Sequence, residues 1–461
     1  MTPARLKLAA LVVLCAVTFF VHLGAEGITR SQEGRVLETA REMRERGDYL
    51  VPHLLGRPRY EKPPLLYWIT AAGYALTGSV NELSGRVPAA LFGVGCVLAL
   101  YGLGRRQLGE RAAFFAAFAL ATGPLFMKFA RLAETDVPQA FFVTAALLVF
   151  LEGRPLLAWV IMGVGFLNKG PAALVIPIVT LVVWRLWTGE PRRLLRECHG
   201  GFLLVFLAIS LSWYVAMLCA SGRSLKVFLV ELSALVVQAE ARHDEGFFYY
   251  FGELSRFLPW TLLAAVGLPW AARQLRRPRA PSAADERGLK FALAWFLTTF
   301  VILQATRNKQ PHYLLVLLPP CALMAGWVCD RLVAWRSWLA SVIIATGLGV
   351  SGVTFYRCAF RDPPHANETV LRTFFQTVGK LLRPEEEFIL QQPTSAERHR
   401  IALAFYTQRV FSEYDAEGLA DIISEGKPLA VVTCEDSPPK PLRKVLHTRA
   451  GKTTWTLWKQ P

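Results

Sequence analysis

Residues 87–103 read VPAALFGVGCVLALYGL, an unbroken apolar run without one charged side chain. Wound as a helix at 1.5 Å per residue, it spans about 25 Å, close to the ~30 Å hydrocarbon layer of a bilayer. The charge sits at its flanks, with Arg86 just before it and Arg105 and Arg106 just after. A single run of this kind would be a core helix or an anchor, so the fold depends on how often it recurs. Comparable runs lie at about Leu6–Leu23, Ala112–Phe129, Val137–Leu151, Leu156–Phe166, Ala172–Trp187, Phe202–Leu218, Leu258–Ala271, Phe291–Leu303, Tyr313–Val328 and Trp338–Phe355. Together they make about eleven expected spans, several of them short, as spans buried in a bundle can be. Of 461 residues, 53% are hydrophobic and 19% charged, more apolar surface than one soluble core requires. The expectation is a mainly α, multi-span membrane protein.

The net charge of +16 and pI near 9.7 could suit a nucleic-acid binder, but the cations are not gathered in one domain. Arg105, Arg106, Arg154, Arg192, Arg193, Arg196, Arg273, Arg276, Arg277, Arg279, Arg331 and Arg336 fall in every second loop. That is the positive-inside pattern, which makes those loops cytoplasmic and, with an odd span count, places the C-terminus outside. The excess charge then orients the chain and attracts anionic membrane lipid, and no nucleic-acid partner is expected. Eight cysteines show no CxxC pair, and most lie inside apolar runs, where a thiol behaves as a small hydrophobe.

Two segments break the pattern. Leu6–Leu23 follows Arg5 and Lys7 and lacks a small-residue cleavage site, so it reads as an uncleaved first helix leading into an outer loop, residues 25–86. In that loop Ser31–Arg46 sets Val36, Ala40 and Met43 on one helical face and Glu38, Arg41, Glu42 and Glu45 elsewhere, the pattern of a helix lying on a membrane surface. Gly47 and Asp48 stop it, Pro63 and Pro64 break the chain again, and Leu65–Leu76 makes a second, Tyr- and Trp-bearing interfacial helix. From Arg357 the composition turns soluble, with alternating strands at Leu429–Thr433 and Thr453–Trp458. The expected domains are a membrane catalytic domain, 1–356, including the loop 25–86, and a small α/β domain, 357–461.

Acids and cations at the outer ends of spans are costly there unless water or a partner is at hand. Glu33, two residues before Arg35, is by itself an ordinary acid in a first helical turn. Arg131, Glu134, Thr135, Asp136 and Pro138 join two spans on the same side; Asp136 before a helical Pro is equally a cap. The third group is cationic and aromatic: Arg57, Arg59, Tyr60, Glu61, Lys62, with Asn168, Lys169 and with Asn308, Lys309, His312, Tyr313. Any one of these cations is best explained as a snorkelling interfacial residue. Three Lys-bearing, proline-containing turns on one side are harder to explain so, and phosphate demands cationic donors.

The run Glu33-Gly34-Arg35, then Ala40-Arg41-Glu42-Met43, Gly47-Asp48-Tyr49 and Tyr60-Glu61-Lys62-Pro63-Pro64-Leu65-Leu66-Tyr67-Trp68 resembles the first periplasmic loop of the lipid A aminoarabinose transferase and protein O-mannosyltransferase superfamily. The resemblance continues at Ala130-Arg131-Leu132 with Thr135 and Asp136, at Phe166–Pro171, at Trp213 and Tyr214, at His243 with Phe247–Tyr250, and at Pro259 and Trp260. It implies a GT-C fold in a bacterial inner membrane, a cavity open to the periplasm, a polyprenyl-phosphate sugar donor, and a lipid or protein acceptor. It also implies an acidic general base, with Asp136 placed ahead of Glu33, and a donor phosphate held by Lys62, Arg35, Arg59, Arg131 and Lys169. Tyr60, Glu134, His312 and Tyr313 would line the cavity for the acceptor. Glu61 and His243 match positions that can hold zinc, although two protein ligands make a thin site and no cofactor is required. One departure stands out: the superfamily carries an Asp immediately before the Glu of the first loop, and here that residue is Gln32, which cannot take a proton. A polyprenyl-lipid flippase, or a relative without catalysis, is the competing reading.

Overall fold

The structure, a computed structural model, describes residues 3–221, 245–246, 248–276, 283–306, 309–358, 364–391, 396–424, 426–434, 441–451 and 453–460. The chain divides into two compact units, one of Met1–Val21, Tyr60–Leu66 and Val87–Cys358, the other of His22–Arg59, Tyr67–Arg86 and Ala359–Pro461. The segment expected to belong with the membrane helices, residues 25–86, thus falls for the most part with the C-terminal residues.

The first unit is helical. Among the described residues, four helices are long and apolar enough to cross a membrane: Pro3–Phe20, Glu82–Gln107, Glu286–Ala305 and Leu339–Tyr356. The bent pairs Glu110–Thr122 with Pro124–Ala130 (63°) and Gly200–Ser210 with Ser212–Ala220 (43°) raise this to six. The expected count of about eleven included shorter runs; these form helices too, among them Asp136–Leu151, Pro155–Lys169 and Ala172–Trp187, each below the length of a full span. The chain is therefore a multi-pass membrane protein. Within it the alanine-rich helix Glu110–Thr122 packs closely against Leu318–Trp335. A Cβ on Gly326 would fall 2.5 Å from the Ala112 carbonyl oxygen, so only glycine permits the backbones to approach this closely. The break before Pro124 has a different cause, since proline has no N–H to continue the ladder and leaves Gly123 extended at ψ 124°; a Cβ on Gly123 would meet the Phe257 ring at 2.0 Å.

In the second unit the helix Ser31–Arg46 has the expected bounds, but not the expected surroundings. Glu33, Glu38, Arg41 and Glu42 are buried along with Val36, Leu37, Ala40 and Met43. Two things allow this. Arg41 donates to both oxygens of Glu38, at 2.9 and 2.7 Å, and the helix Glu397–Thr407 covers the helix at Gly34, where Ile401 sits. A helix with a solvated polar face is therefore replaced by one whose charges are paired internally.

A two-stranded ribbon, β1 (His53–Leu54) and β2 (Arg57–Pro58), follows it. The C-terminal residues build a five-stranded sheet from β3 (Glu387–Gln391), β4 (Ser412–Tyr414), β5 (Leu429–Thr433), β6 (Arg443–Ala450) and β7 (Thr453–Lys459), in the order β4-β3-β5-β7-β6. β4, β3 and β5 run parallel, linked through Glu397–Thr407 and Ala416–Ser424, while β7 is antiparallel to β5 and β6. β5 (LAVVT) is buried throughout, as a central parallel strand should be, and Trp458 Nε1 donates to Thr433 Oγ1 at 3.0 Å. β6 forms the outer rim, where Arg443, Lys444, His447 and Arg449 are exposed. The α/β domain expected after Arg357 is present, with both expected strands in place.

Candidate active site

The first unit gathers residues from four places in the chain. Asp136 opens the helix Asp136–Leu151, ahead of the apolar run that begins at Val137, and Lys169 closes the helix Pro155–Lys169, where Gly170 takes φ 98°. The Lys169 ammonium donates to Asp136 Oδ1. Asn168 fixes the same junction from the neighbouring position: its Nδ2 donates to the Thr135 carbonyl oxygen at 2.8 Å, so the residue before the acid is tied to the residue before the cation. The third element is the 3-10 turn Pro311–Val316, with Pro311 at its first position. Its buried His312 ring lies 4.9 Å from the Tyr313 ring and 6.2 Å from Phe129, and Lys169 Nζ stands 4.7 Å from the Tyr313 ring centroid, within cation–π range. The fourth is the half-buried Lys62 from the Tyr60–Leu66 segment.

These charges act on one another. Burial alone would push the Asp136 carboxyl up, but attraction from Lys169, His312 and Lys62, with the Lys169 hydrogen bond, holds it below the usual carboxylate range. The arrangement is an ionised acid under three cationic or titratable groups, next to an aromatic ring.

Other expected residues fall nearby or elsewhere. In the same unit Arg131 is buried, donates through Nη1 to the Thr18 carbonyl oxygen at 3.0 Å and lies over the Phe355 ring, so it braces the turn before Asp136. Glu134 is buried in that turn and Tyr60 is half-buried. Glu61 is exposed, and its expected partner His243, like Phe247, Asn308, Arg277 and Arg279, lies outside the described residues. Among the described residues no three His, Cys, Asp or Glu side chains gather into a metal site. A zinc role for Glu61 and His243 therefore rests on the resemblance alone, and no step below runs through a metal.

Glu33, Arg35 and Arg59 lie in the second unit, each with partners there. Glu33 is fully buried on Arg86, Arg35 Nε donates to Glu397 at 2.9 Å, and the buried Arg59 donates to the Tyr67 hydroxyl at 3.3 Å. A carboxylate whose two oxygens face a buried guanidinium is poorly suited to accept a substrate proton. Sequence reasoning passed over Arg86, the last residue before the first quoted run, because nothing local marks it as the partner of an acid 53 positions earlier. It also gave Asn168 no role of its own, though its place beside Lys169 was the available signal.

Comparison with known proteins gives these geometries a context. The family described as dolichyl-phosphate-mannose-protein mannosyltransferase matches residues 61–214, which include Lys62, Asp136 and Lys169. A protein named undecaprenyl phosphate-alpha-4-amino-4-deoxy-L-arabinose arabinosyl transferase 1, from Pseudomonas fluorescens, is 28% identical over 392 residues, covering 79% of this chain and 68% of the relative. The transferase of that name from Edwardsiella ictaluri is 31% identical over 334 residues, 69% of this chain and 58% of its own length. An uncharacterised Aquifex aeolicus protein is 30% identical over 330 residues, and the chain spans 63% of its length. Among solved structures, ArnT from Cupriavidus metallidurans bound to undecaprenyl phosphate superposes with TM-score 0.79 at 21% identity, covering 97% of each chain. The Archaeoglobus fulgidus oligosaccharyltransferase in complex with Zn and sulfate does so with TM-score 0.58 at 12% identity, over 93% of this chain and 67% of that one.

Proposed function

From the premise that this chain has the GT-C fold and resembles the lipid A aminoarabinose transferase and protein O-mannosyltransferase family, we propose that it moves a sugar from a polyprenyl-phosphate carrier to a hydroxyl or phosphate of an acceptor on the outer face of a bacterial inner membrane. The relatives' names carry an undecaprenyl phosphate-linked sugar, which supports the donor class, and the acceptor proposed is a lipid A-like envelope lipid, as the family resemblance implies. The observation that carries the reading is the ionised Asp136 paired with Lys169 and facing His312 and Lys62.

Chemistry follows from that cluster. An acceptor oxygen attacks the anomeric carbon, the bond from that carbon to the phosphate oxygen breaks, and the polyprenyl phosphate leaves with the bonding electrons. Because the leaving group is already a stable anion, cations that neutralise it can supply much of the stabilisation and no general acid is needed. In this reading Lys62, whose charge acts on Asp136, is such a cation. The proton of the acceptor hydroxyl goes to the Asp136 carboxylate. Lys169 weakens that carboxylate as a base, but bond-making at an oxocarbenium-like centre makes the hydroxyl acidic late in the reaction, and a fixed negative charge stabilises the positive sugar before the proton moves.

The test is incubation of purified protein with radiolabelled polyprenyl-phosphate sugar, followed by separation of lipid and protein fractions. Label transferred to an acceptor lipid supports the reading; label in protein moves the acceptor class. Movement of the intact carrier lipid across a vesicle bilayer, with no change in its chemical partner, would replace the transferase with a flippase.

A further inference from the structure

Lys309 lies between the helix Ala283–Ala305 and the turn Pro311–Val316, and is 8% exposed. Its Nζ donates to the Glu245 carbonyl oxygen at 3.1 Å, and among the described residues no carboxylate pairs with it. A lysine ammonium has three donors and a full charge, and burying it without a counter-ion is unfavourable. The expected phosphate set does not include Lys309, and its members are engaged elsewhere. Lys169 is engaged by Asp136, Arg35 by Glu397, Arg59 by the Tyr67 hydroxyl and Arg131 by the Thr18 carbonyl, while Lys62 is only half-buried. Lys309 is thus, among the described residues, a buried ammonium held by a backbone carbonyl and paired with no carboxylate.

Its surroundings lead to the Asp136 cluster. The next residue, Gln310, accepts from the Tyr313 N–H at 3.1 Å, and Tyr313 carries Lys169 over its ring. Wholly buried Tyr250 faces Thr306, the Gln310 backbone and Tyr313. Three residues of chain reach at most about 11 Å, so Lys309 and His312 belong to one neighbourhood. It has this buried ammonium, two tyrosines and the Asp136–Lys169 pair.

We infer that Lys309 binds the phosphate of the lipid-linked donor, an anion completing the charge balance of this buried ammonium. The inference rests on the donor class proposed above. It assigns the leaving phosphate to the tyrosine-lined side of the site, leaving Lys169 free to hold Asp136.

The experiment measures binding of undecaprenyl phosphate and of uncharged undecaprenol to the full-length protein in nanodiscs, for the wild type, Lys309→Gln and Lys309→Arg. Loss of one charge-assisted contact should weaken phosphate binding roughly 10- to 100-fold in Lys309→Gln, leave undecaprenol affinity unchanged, and be largely rescued in Lys309→Arg. Unaltered phosphate binding in Lys309→Gln, beside a wild type that prefers the phosphate, overturns this inference and leaves the transferase reading intact. Equal loss of both ligands also overturns it, since Lys309 would then be holding the fold. A wild type that does not distinguish phosphate from alcohol removes the donor reading itself, and the inference with it.

Discussion

The Glu33 carboxylate meets the Arg86 guanidinium at two points, Oε1 to Nε at 2.7 Å and Oε2 to Nη2 at 3.1 Å, with both side chains shut away from water. Arg86 gives its remaining N–H groups to the carbonyls of Leu23, Glu26 and Gly27, at 2.9, 2.8 and 3.0 Å. One side chain therefore joins the loop before the helix Ser31–Arg46, that helix, and the first turns of Glu82–Gln107. Removing one partner of such a pair leaves a buried charge, so Arg86→Met or Glu33→Ala should destabilise the fold by about 3–5 kcal/mol. Thermal unfolding in detergent reads this. A Glu33→Gln protein of wild-type stability but no turnover would return Glu33 to the chemistry.

Asp136→Asn keeps the shape of the side chain and removes its charge. Turnover should fall by roughly 10²–10⁴-fold, the span usual for loss of a positioned base, while donor affinity changes little. Single-turnover kinetics alongside donor binding separate the two quantities; a variant with normal turnover would take Asp136 out of the reaction.

Lys62→Ala acts on the other partner. Losing a charge-assisted contact to phosphate should cost about 1.5–3 kcal/mol of donor affinity. Titration with donor measures it, and the loss should be absent for the uncharged polyprenol.

His399, in the helix Glu397–Thr407, accepts from Arg398 Nη2 at 3.0 Å and stands edge-on to Trp455 at 5.6 Å. Burial and the neighbouring Arg398 push its pKa down from 6.5 to about 4. The folded chain thus declines a proton that the unfolded chain binds, so the contribution of His399 is present above pH 6.5 and is lost as pH falls towards 4. Melting temperature recorded from pH 7.5 down to pH 4 should fall less steeply for His399→Phe than for the wild type. Parallel slopes would show that other groups set the acid limb.

Local patterns were the most readable part of this chain. The helix Ser31–Arg46 has the expected bounds because Gly47, at φ 67°, ends it as a left-handed cap, and the strand Leu429–Thr433 could be read from its apolar run. The Asp136, Lys169 and His312 turns were each legible as interfacial polar turns, but their meeting was not, since 33 positions separate the first two. The burial of Glu38, Arg41 and Glu42 was equally hidden: the covering helix begins at Glu397, and amphipathic periodicity cannot say whether a polar face meets water or a partner bearing its own charges. Lys309 illustrates the same limit, because a lysine before a proline turn looks alike whether it is solvated or enclosed.

Among the described residues no strand pairs with the outer side of β6, which carries Arg443, Lys444, His447 and Arg449. Two copies approaching rim to rim would bring like charges together before any ladder could form. Crowded neighbours in one membrane can therefore pass without zipping into a shared sheet, and neutralising those four side chains should turn a well-behaved preparation into one that fibrillates.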